Sequence, residues 1–352
     1  MCRSGRYRSC RDCRLSRREF LIRRRILPYE IRVEPKTWLL RKPFRISRDE
    51  ATHAETLLCH ISDGTHTGSG EAAGVTYKGE TIDSIKEQIE AVMPQIAGGI
   101  SRDELQQIMP PGGARNAVDC ALWDLEAKQS GRTVWQMLDW QPHAVTTVYT
   151  VGIDTAENMQ KDAAAHADFP ILKVKVGIGD PLEQLAAIRK GSPDAAIVID
   201  ANQAWTIDDL DQYAAGLKAL HVEMVEQPLA IADDEALRDF ESPIPLCADE
   251  SCDSRADLDR LAGLYEIINI KLDKTGGLTE ALALALQAES MGFDLMVGNM
   301  LGSSLAMAPA FVIAQRCRYV DIDGPLLQAQ DCAHPLIYKS GQVEPFSPEL
   351  WA

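Results

Sequence analysis

Ile171-Leu-Lys-Val-Lys-Val-Gly177, Ala196-Ile-Val-Ile-Asp-Ala201 and Val222-Glu-Met-Val-Glu-Gln-Pro228 decide the fold. Each is a short run rich in Val, Ile or Leu, each carries a charged residue near its end, and each is too short for a helix. They start 25 and 26 residues apart. Working outward, runs of the same kind occur at 147–152, 244–250, 267–273, 294–300 and 319–324, so the eight starts are separated by 24, 25, 26, 22, 23, 27 and 25 residues. Between most of them lie stretches with helical spacing and Ala, Leu and Glu content: 181–191, 207–220, 233–240, 254–264 and 279–291. One strand, one helix and two loops need about 25 residues. Eight such strands joined by right-handed crossovers close as a (β/α)₈-type barrel. An open doubly wound sheet is the rival. It usually has fewer strands, and no GxGxxG follows any strand here.

Upstream the pattern changes. Residues 31–40, 55–63 and 67–71 read as strands, with turn signals at Ser62-Asp63-Gly64 and around Gly68 and Gly70. Residues 81–97, 101–109 and 114–130 read as helices. Ser101 followed by Glu104 fits a capping box, and Pro110-Pro111-Gly112-Gly113 breaks the chain before the last helix. This is an α+β domain over 26–144, ahead of a barrel over 145–324. From Pro325 there is no room for another βα unit, so 325–352 is expected to pack back and complete the first domain.

Composition bounds the function. The 352 residues are 45% hydrophobic and 25% charged, a globular rather than a disordered balance. No apolar run approaches the ~18 residues of a membrane span. A formal net charge of −16 argues against a nucleic-acid backbone as main partner. Residues 1–25 stand apart: they hold ten of the 36 Lys and Arg but two of the 52 Asp and Glu. No apolar core follows these charges, so the tail is not a secretory signal. An organelle presequence, a disordered basic arm and a translated upstream extension are the readings left for it. Cys10-x-x-Cys13 has no second ligand pair for zinc. Nine cysteines without a secretory signal point to reduced thiols and a cytoplasmic location.

In a barrel of this kind the active site lies at the carboxyl ends of the strands. Those ends read Lys173-Val-Lys175, Asp200-Ala-Asn202, Glu226-Gln-Pro228, Asp249-Glu250, Lys271-Leu-Asp273, Gly298-Asn299 and Asp321-Ile-Asp323. A single loop-start carboxylate reads equally well as a helix cap. Three from consecutive units, Asp200, Glu226 and Asp249, read as a metal site, because converging carboxylates repel unless a cation sits among them. All-oxygen ligation suits Mg²⁺, with Mn²⁺ as the alternative. Asn202 and Gln227 read as supporting donors rather than ligands.

Lys173 and Lys175 are two apart on a strand and share a face. Lys271 comes from the strand across the barrel. A lone lysine there reads as a solvated charge; lysines opposed across three carboxylates read as acid/base groups, with the like charge of Lys173 helping to lower Lys175. The α-C–H of a carboxylate is a very weak acid whose removal leaves a dianion. A divalent ion neutralises that charge, one lysine takes the proton, and a second returns it on the opposite face. The expected reaction is racemisation or epimerisation.

These residues resemble the enolase superfamily, muconate lactonizing subgroup: Lys173 and Lys175, the Asp200, Glu226 and Asp249 triad and Lys271 match its pattern over about residues 30–350. The resemblance implies a (β/α)₇β TIM-like barrel with an N-terminal α+β capping domain. Gly298-Asn299-Met300 lacks the His that the mandelate racemase subgroup needs there. Asp321-Ile-Asp323-Gly-Pro-Leu, Cys247-Ala-Asp-Glu-Ser-Cys252 and Lys271-Leu-Asp-Lys-Thr-Gly-Gly-Leu-Thr279 are similar to the dipeptide epimerases, above all those of the L-Ala-D/L-Glu type. That resemblance implies Lys175 and Lys271 as acid/base residues, Lys173 on the substrate carboxylate, Thr150 and Asn299 as substrate contacts, and Mg²⁺ as cofactor. Asp321 and Asp323 share a strand face, and such a pair suits the free ammonium of a small dipeptide. Asn299 departs from the small thiol or alcohol expected in the Ala-Glu enzymes. The capping loop at 41–53 would read the distal side chain through Arg45, Arg48 or His53. Association into a homo-oligomer is common in the superfamily. The other readings are a cycloisomerase or o-succinylbenzoate synthase-like enzyme of the same subgroup, and a barrel that binds a ligand without turnover.

Overall fold

The computed structural model describes residues 29–46 and 50–351; the basic tail and Arg48 lie outside the described residues. The chain opens with an antiparallel sheet of β1 (Glu30–Arg45), β2 (Glu50–Ser62) and β3 (Thr67–Ala72) in that order. Helices α1 (Ile82–Ala97), α2 (Arg102–Ile108) and α3 (Gly113–Ser130) follow. Thr81 caps α1 through Ser84, and Ser101 with Glu104 forms the capping box on α2 that the sequence marks.

The glycines of β3 explain how sheet and helix meet. A Cβ on Gly68 would lie 2.1 Å from Ala121 O, and one on Gly70 would lie 2.2 Å from Ala117 O. Strand backbone therefore sits directly on the backbone of α3, which only glycine permits. Because side chains alternate along a strand, Glu71 points away from α3. The core of this domain is Leu57, Cys59, Ile61, Ile85, Ile89 and their neighbours.

A short helix α4 (Val134–Leu138) and the two-residue strand β4 (Val145–Thr146) lead into the barrel. Its strands are β5 (Tyr149–Val151), β6 (Ile171–Lys175), β7 (Ala196–Asp200), β8 (Val222–Glu226), β9 (Leu246–Ala248), β10 (Ile267–Lys271), β11 (Asp294–Gly298) and β12 (Tyr319–Val320). They pair in parallel and in chain order. The Val148 N–H donates to Val320 O at 2.9 Å and joins the first strand to the last, which disposes of the open-sheet rival. The connecting helices are α5 (Ala156–Ala165), α6 (Leu182–Gly191), α7 (Ile207–Ala219), α8 (Leu258–Leu261), α9 (Leu272–Thr275), α10 (Leu278–Ser290) and α11 (Ser304–Ala314).

Two connections depart from the helices read in the sequence. After β8 the chain makes a 3₁₀ segment at Ile231–Leu237, and after β9 a 3₁₀ turn precedes the single turn of α8. Asp234 is turned inward, where it accepts from Tyr265 Oη at 2.6 Å and Arg260 Nη1 at 2.8 Å. A side chain recruited to tie loops together is not on the outer face of a helix. The expected strand end at Asp273 also moves: β10 stops at Lys271 and Asp273 lies in the first turn of α9.

The barrel floor is one ring of apolar side chains: Val148, Val198, Met224, Cys247, Ile267, Met296 and Tyr319, with Ile171 packed against them. β6 to β12 supply one each, and Val148 stands just before β5. Period-two alternation then dictates which residues stand above the floor: Thr150, Lys173, Asp200, Glu226, Asp249, Asn269, Gly298 and Asp321, each two positions on. Past β12 the chain forms α12 (Gly324–Leu327), and β13 (Tyr338–Lys339) and β14 (Gln342–Val343) pair back to β4. Trp351, fully buried, donates its indole N–H to Ser69 O and Cys120 O of the first domain. Among the described residues no helix is long and apolar enough to cross a membrane.

Candidate active site

Asp200 ends β7, Glu226 ends β8 and Asp249 follows β9; one carboxylate oxygen from each lies within 4.8 Å of the other two. All three are buried. Gln227 supports the third: its Oε1 accepts from the backbone N–H of Asp249 and of Ser251, both at 3.0 Å, which fixes the turn that presents Asp249. Gln227 and Asn202, each just past a carboxylate strand end, adopt positive φ (36° and 45°), so the chain turns sharply there.

Lysines reach the same carboxylates from both flanks. Lys175 Nζ is 2.5 Å from Asp200 Oδ2, and Lys271 Nζ is 2.6 Å from Asp249 Oδ2. Lys173 sits deeper, with Glu226 Oε2 at 2.6 Å, Asp321 Oδ2 at 2.8 Å and Asp200 Oδ2 at 3.2 Å. The strand order makes this inevitable. β6 borders β7 and β10 borders β9, so the acidic strands are bracketed by the basic ones.

Burial raises the Asp200 and Asp249 carboxyls, but the lysines at their tips override it and hold both below the ordinary range. Glu226 goes the other way, pushed up by burial and then by Asp200. Burial lowers Lys173 and Lys271, yet the carboxylates in front of them outweigh it and keep both above the usual lysine value. For these two lysines the convergent carboxylates dominate over like-charge repulsion. The site fits a hard divalent ion: three buried carboxylates, oxygen donors only, within the span of one coordination sphere. Asp200 and Asp249 also hold the ammonium groups of Lys175 and Lys271, so an ion bound to these oxygens competes with both lysines.

The remaining expected residues gather at the other side of the mouth. Asp321 Oδ1 accepts from Asn299 Nδ2 at 2.9 Å, and Asn299 Oδ1 accepts from the Leu301 N–H at 2.8 Å. Asn299 is thus engaged in holding Asp321 and its own loop. Thr150 enters through its backbone N–H, which donates to Asp323 Oδ2 at 2.6 Å. Burial, then the charge of Asp321, pushes the Asp323 carboxyl well above the ordinary range.

The capping-loop candidates are placed differently. Arg45 is exposed and pairs with Glu50 at 2.8 Å, while its carbonyl accepts from the Ile153 N–H in the loop after β5. His53 is exposed and lies opposite Leu39 on the β1–β2 ladder.

Sequence reasoning missed two residues. Asn269 Nδ2 donates to Glu226 Oε1 at 2.8 Å. It stands two positions before Lys271 on one strand face, so the period-two rule could have found it. Lys274, fully buried, contacts Asp249 Oδ1 at 2.7 Å, Asn269 O at 3.0 Å and the Asp249 carbonyl. No periodic signal marks it, because the chain turns into α9 directly after Lys271. Gly298 makes room for both β10 side chains: a Cβ there would lie 2.7 Å from Asn269 Oδ1 and 2.9 Å from Lys271 Cε.

Two family models match: the mandelate racemase/muconate lactonizing enzyme N-terminal domain over residues 29–139, and the enolase C-terminal domain-like family over 154–348. The chain is 44% identical to N-acetyl-D-glutamate racemase from Pseudoalteromonas sp over 293 residues, 83% of this chain and 93% of the relative. It is 40% identical to L-Ala-D/L-Glu epimerase from Escherichia coli (strain K12) over 316 residues, 89% and 98% of the two chains. Among solved structures it is similar to an enolase family member from Agrobacterium tumefaciens with homology to dipeptide epimerases, bound to sodium and L-Ala-L-Glu with an ordered loop (TM-score 0.90, 44% identity, covering 92% and 100%). It is also similar to the dipeptide epimerase from Cytophaga hutchinsonii complexed with Mg and D-Ala-L-Val (TM-score 0.84, 27% identity, covering 92% and 95%).

Proposed function

The chain belongs to the mandelate racemase/muconate lactonizing enzyme family of the enolase superfamily, and on that premise we propose that it is a Mg²⁺-dependent dipeptide epimerase of the L-Ala-D/L-Glu type that uses Lys175 and Lys271 as its two acid/base groups. One observation carries the reading: the two lysines reach a single buried carboxylate trio from opposite flanks. A divalent ion held by Asp200, Glu226 and Asp249 would neutralise negative charge developing on the substrate carboxylate. Lysine on one face of the substrate takes the α-proton, and lysine on the other face gives a proton back, which inverts the carbon.

Lys173 has a different task. With three carboxylates around its ammonium it stays charged, and it serves as a fixed cation for the substrate carboxylate. Asp321 and Asp323 receive the N-terminal ammonium, with Asn299 and the Thr150 N–H holding them in place. An acidic side chain on the second residue would meet Arg45, Arg48 or His53 at the capping loop. The cysteines among the described residues are free and mostly buried, which agrees with a reducing cytoplasm and a role in small-peptide metabolism.

A second reading, racemisation of an N-acylated glutamate, is favoured by the 44% identity to N-acetyl-D-glutamate racemase. The Asp321 and Asp323 pair counts against it, because an N-acyl amide brings no cation to two buried carboxylates. The test is incubation with L-Ala-L-Glu, a dipeptide panel and N-acetylglutamate in D₂O with Mg²⁺, read by mass. Deuterium at the Glu α-carbon of the dipeptide, lost on chelation and restored by Mg²⁺, supports the reading. Label in N-acetylglutamate alone, or in no substrate, overturns it.

A further inference from the structure

Glu71 is a buried carboxylate that the proposed chemistry does not use. It lies at the end of the Thr67-Gly-Ser-Gly-Glu71 run of β3, whose glycines press the strand onto α3 and send Glu71 the other way, toward the barrel. Four donors converge on it. Trp38 Nε1 and Thr56 Oγ1 reach Oε1, both at 2.8 Å, and the Ser303 N–H reaches the same oxygen at 3.2 Å. Ser303 Oγ donates to Oε2. Ser303 caps α11, where the positive end of an eleven-residue helix also faces the carboxylate.

The donors come from two places that matter to the substrate. Trp38 stands on β1 a few residues before Arg41 and Arg45, on the stem of the capping loop. Ser303 closes the segment that begins at Asn299, and Asn299 holds Asp321. One end of a dipeptide would meet the loop and the other would meet Asp321 and Asp323. We infer that Glu71 is a positioning residue that sets the separation between the loop end and the ammonium end of the substrate pocket; this rests on the epimerase reading. Glu71 does not hold the two domains together alone. Arg115 donates to Gly276 O at 3.1 Å and Thr275 O at 2.6 Å, and Asp119 accepts from Thr279, all at a separate part of the seam. Loss of the Glu71 contacts should therefore loosen the 299–303 segment and leave the fold intact.

Two variants test this, Glu71→Gln and Ser303→Ala. In Glu71→Gln an amide nitrogen takes the place of the oxygen to which the Ser303 hydroxyl donates, so that hydroxyl loses its acceptor. Ser303→Ala removes the hydroxyl and leaves the carboxylate. In both, backbone amides of 299–305 are expected to exchange with deuterium about tenfold faster, KM for L-Ala-L-Glu to rise about tenfold, and kcat to stay within about threefold. The double variant should be no worse than the worse single one. Unchanged exchange in 299–305 overturns the inference. So does a lower melting temperature with unchanged KM, which marks a structural role only, or a fall in kcat at constant KM. The amide exchange is independent of turnover: wild-type enzyme inert on every dipeptide would sink the epimerase reading, while this readout would still decide whether Glu71 holds the segment.

Discussion

The barrel mouth and the end of the β1–β2 hairpin that touches it at Ile153 are built on opposite terms. In the mouth, Lys173, Asp200, Glu226, Asp249, Lys271, Asp321 and Asp323 are buried, and each side chain has a charged or hydrogen-bonding partner within the ring. Their places follow from strand register. At the hairpin end Arg45 and Glu50 pair in solvent and His53 is exposed. Exposed ion pairs are screened by solvent and do not hold a long side chain in one geometry. On the proposed reading the chemistry falls to positions the sheet determines, and recognition of the distal side chain to positions it leaves free.

Substituting the lysines should break that contrast most sharply if it is wrong. Lys175→Ala and Lys271→Ala are each expected to lower epimerisation by about 10³-fold or more. Each should retain α-proton exchange, without inversion, for only one of the two epimers, and for opposite ones. Proton NMR in D₂O on the separate L-Ala-L-Glu and L-Ala-D-Glu substrates reads this. Equal loss toward both epimers in both variants would mean that the lysines are not on opposite faces.

The proposed ammonium subsite comes next. Asp323→Asn is expected to cost about 10²-fold in kcat/KM on L-Ala-L-Glu, the scale of one charged hydrogen bond. The ratio of dipeptide to N-acetylglutamate turnover should fall by a similar factor. A constant ratio would show that the pair does not read the ammonium.

Where the first domain meets α9 and α10, pH is the probe. Burial pushes Asp119 and Asp273 up to about 6; Asp273 accepts from the Gly74 N–H at 2.8 Å. A carboxyl whose folded value is raised binds its proton more tightly in the native state. Its contribution is therefore fully present below the ordinary Asp value and is lost as pH rises through about 6. Asp273→Asn is neutral throughout. Relative to wild type it should gain on the order of 1–3 kcal/mol between pH 4 and 7, measured by denaturant melts at each pH. A difference that stays flat would place a charged Asp273 in a more polar seam than its burial implies.

The smallest effect is assigned to the hairpin. Arg45→Gln is expected to raise KM for L-Ala-L-Glu about two- to fivefold and to leave L-Ala-L-Val unaffected. A change of a hundredfold would show that the loop is as fixed as the barrel, and the contrast would fail.

Much of this molecule is decided locally, and that part is legible in the sequence. Short runs of Val, Ile and Leu mark the strands, the spacing of about 25 residues marks the barrel, and the charged residues at the ends of those runs, two apart where they share a face, mark the site. Asp200, Glu226, Asp249, Lys173, Lys175 and Lys271 are found that way because the period-two rule holds wherever a strand keeps its register. Tertiary structure alone decides who meets whom. Asn299 turns to Asp321 rather than outward, Lys274 comes under Asp249 because α9 starts at once after β10, and Glu71 finds Ser303 from 232 residues away. A side chain's direction follows from its own few dihedrals, whereas its partner depends on how distant segments close around the ring, and a buried polar group accepts whatever partner that closure delivers.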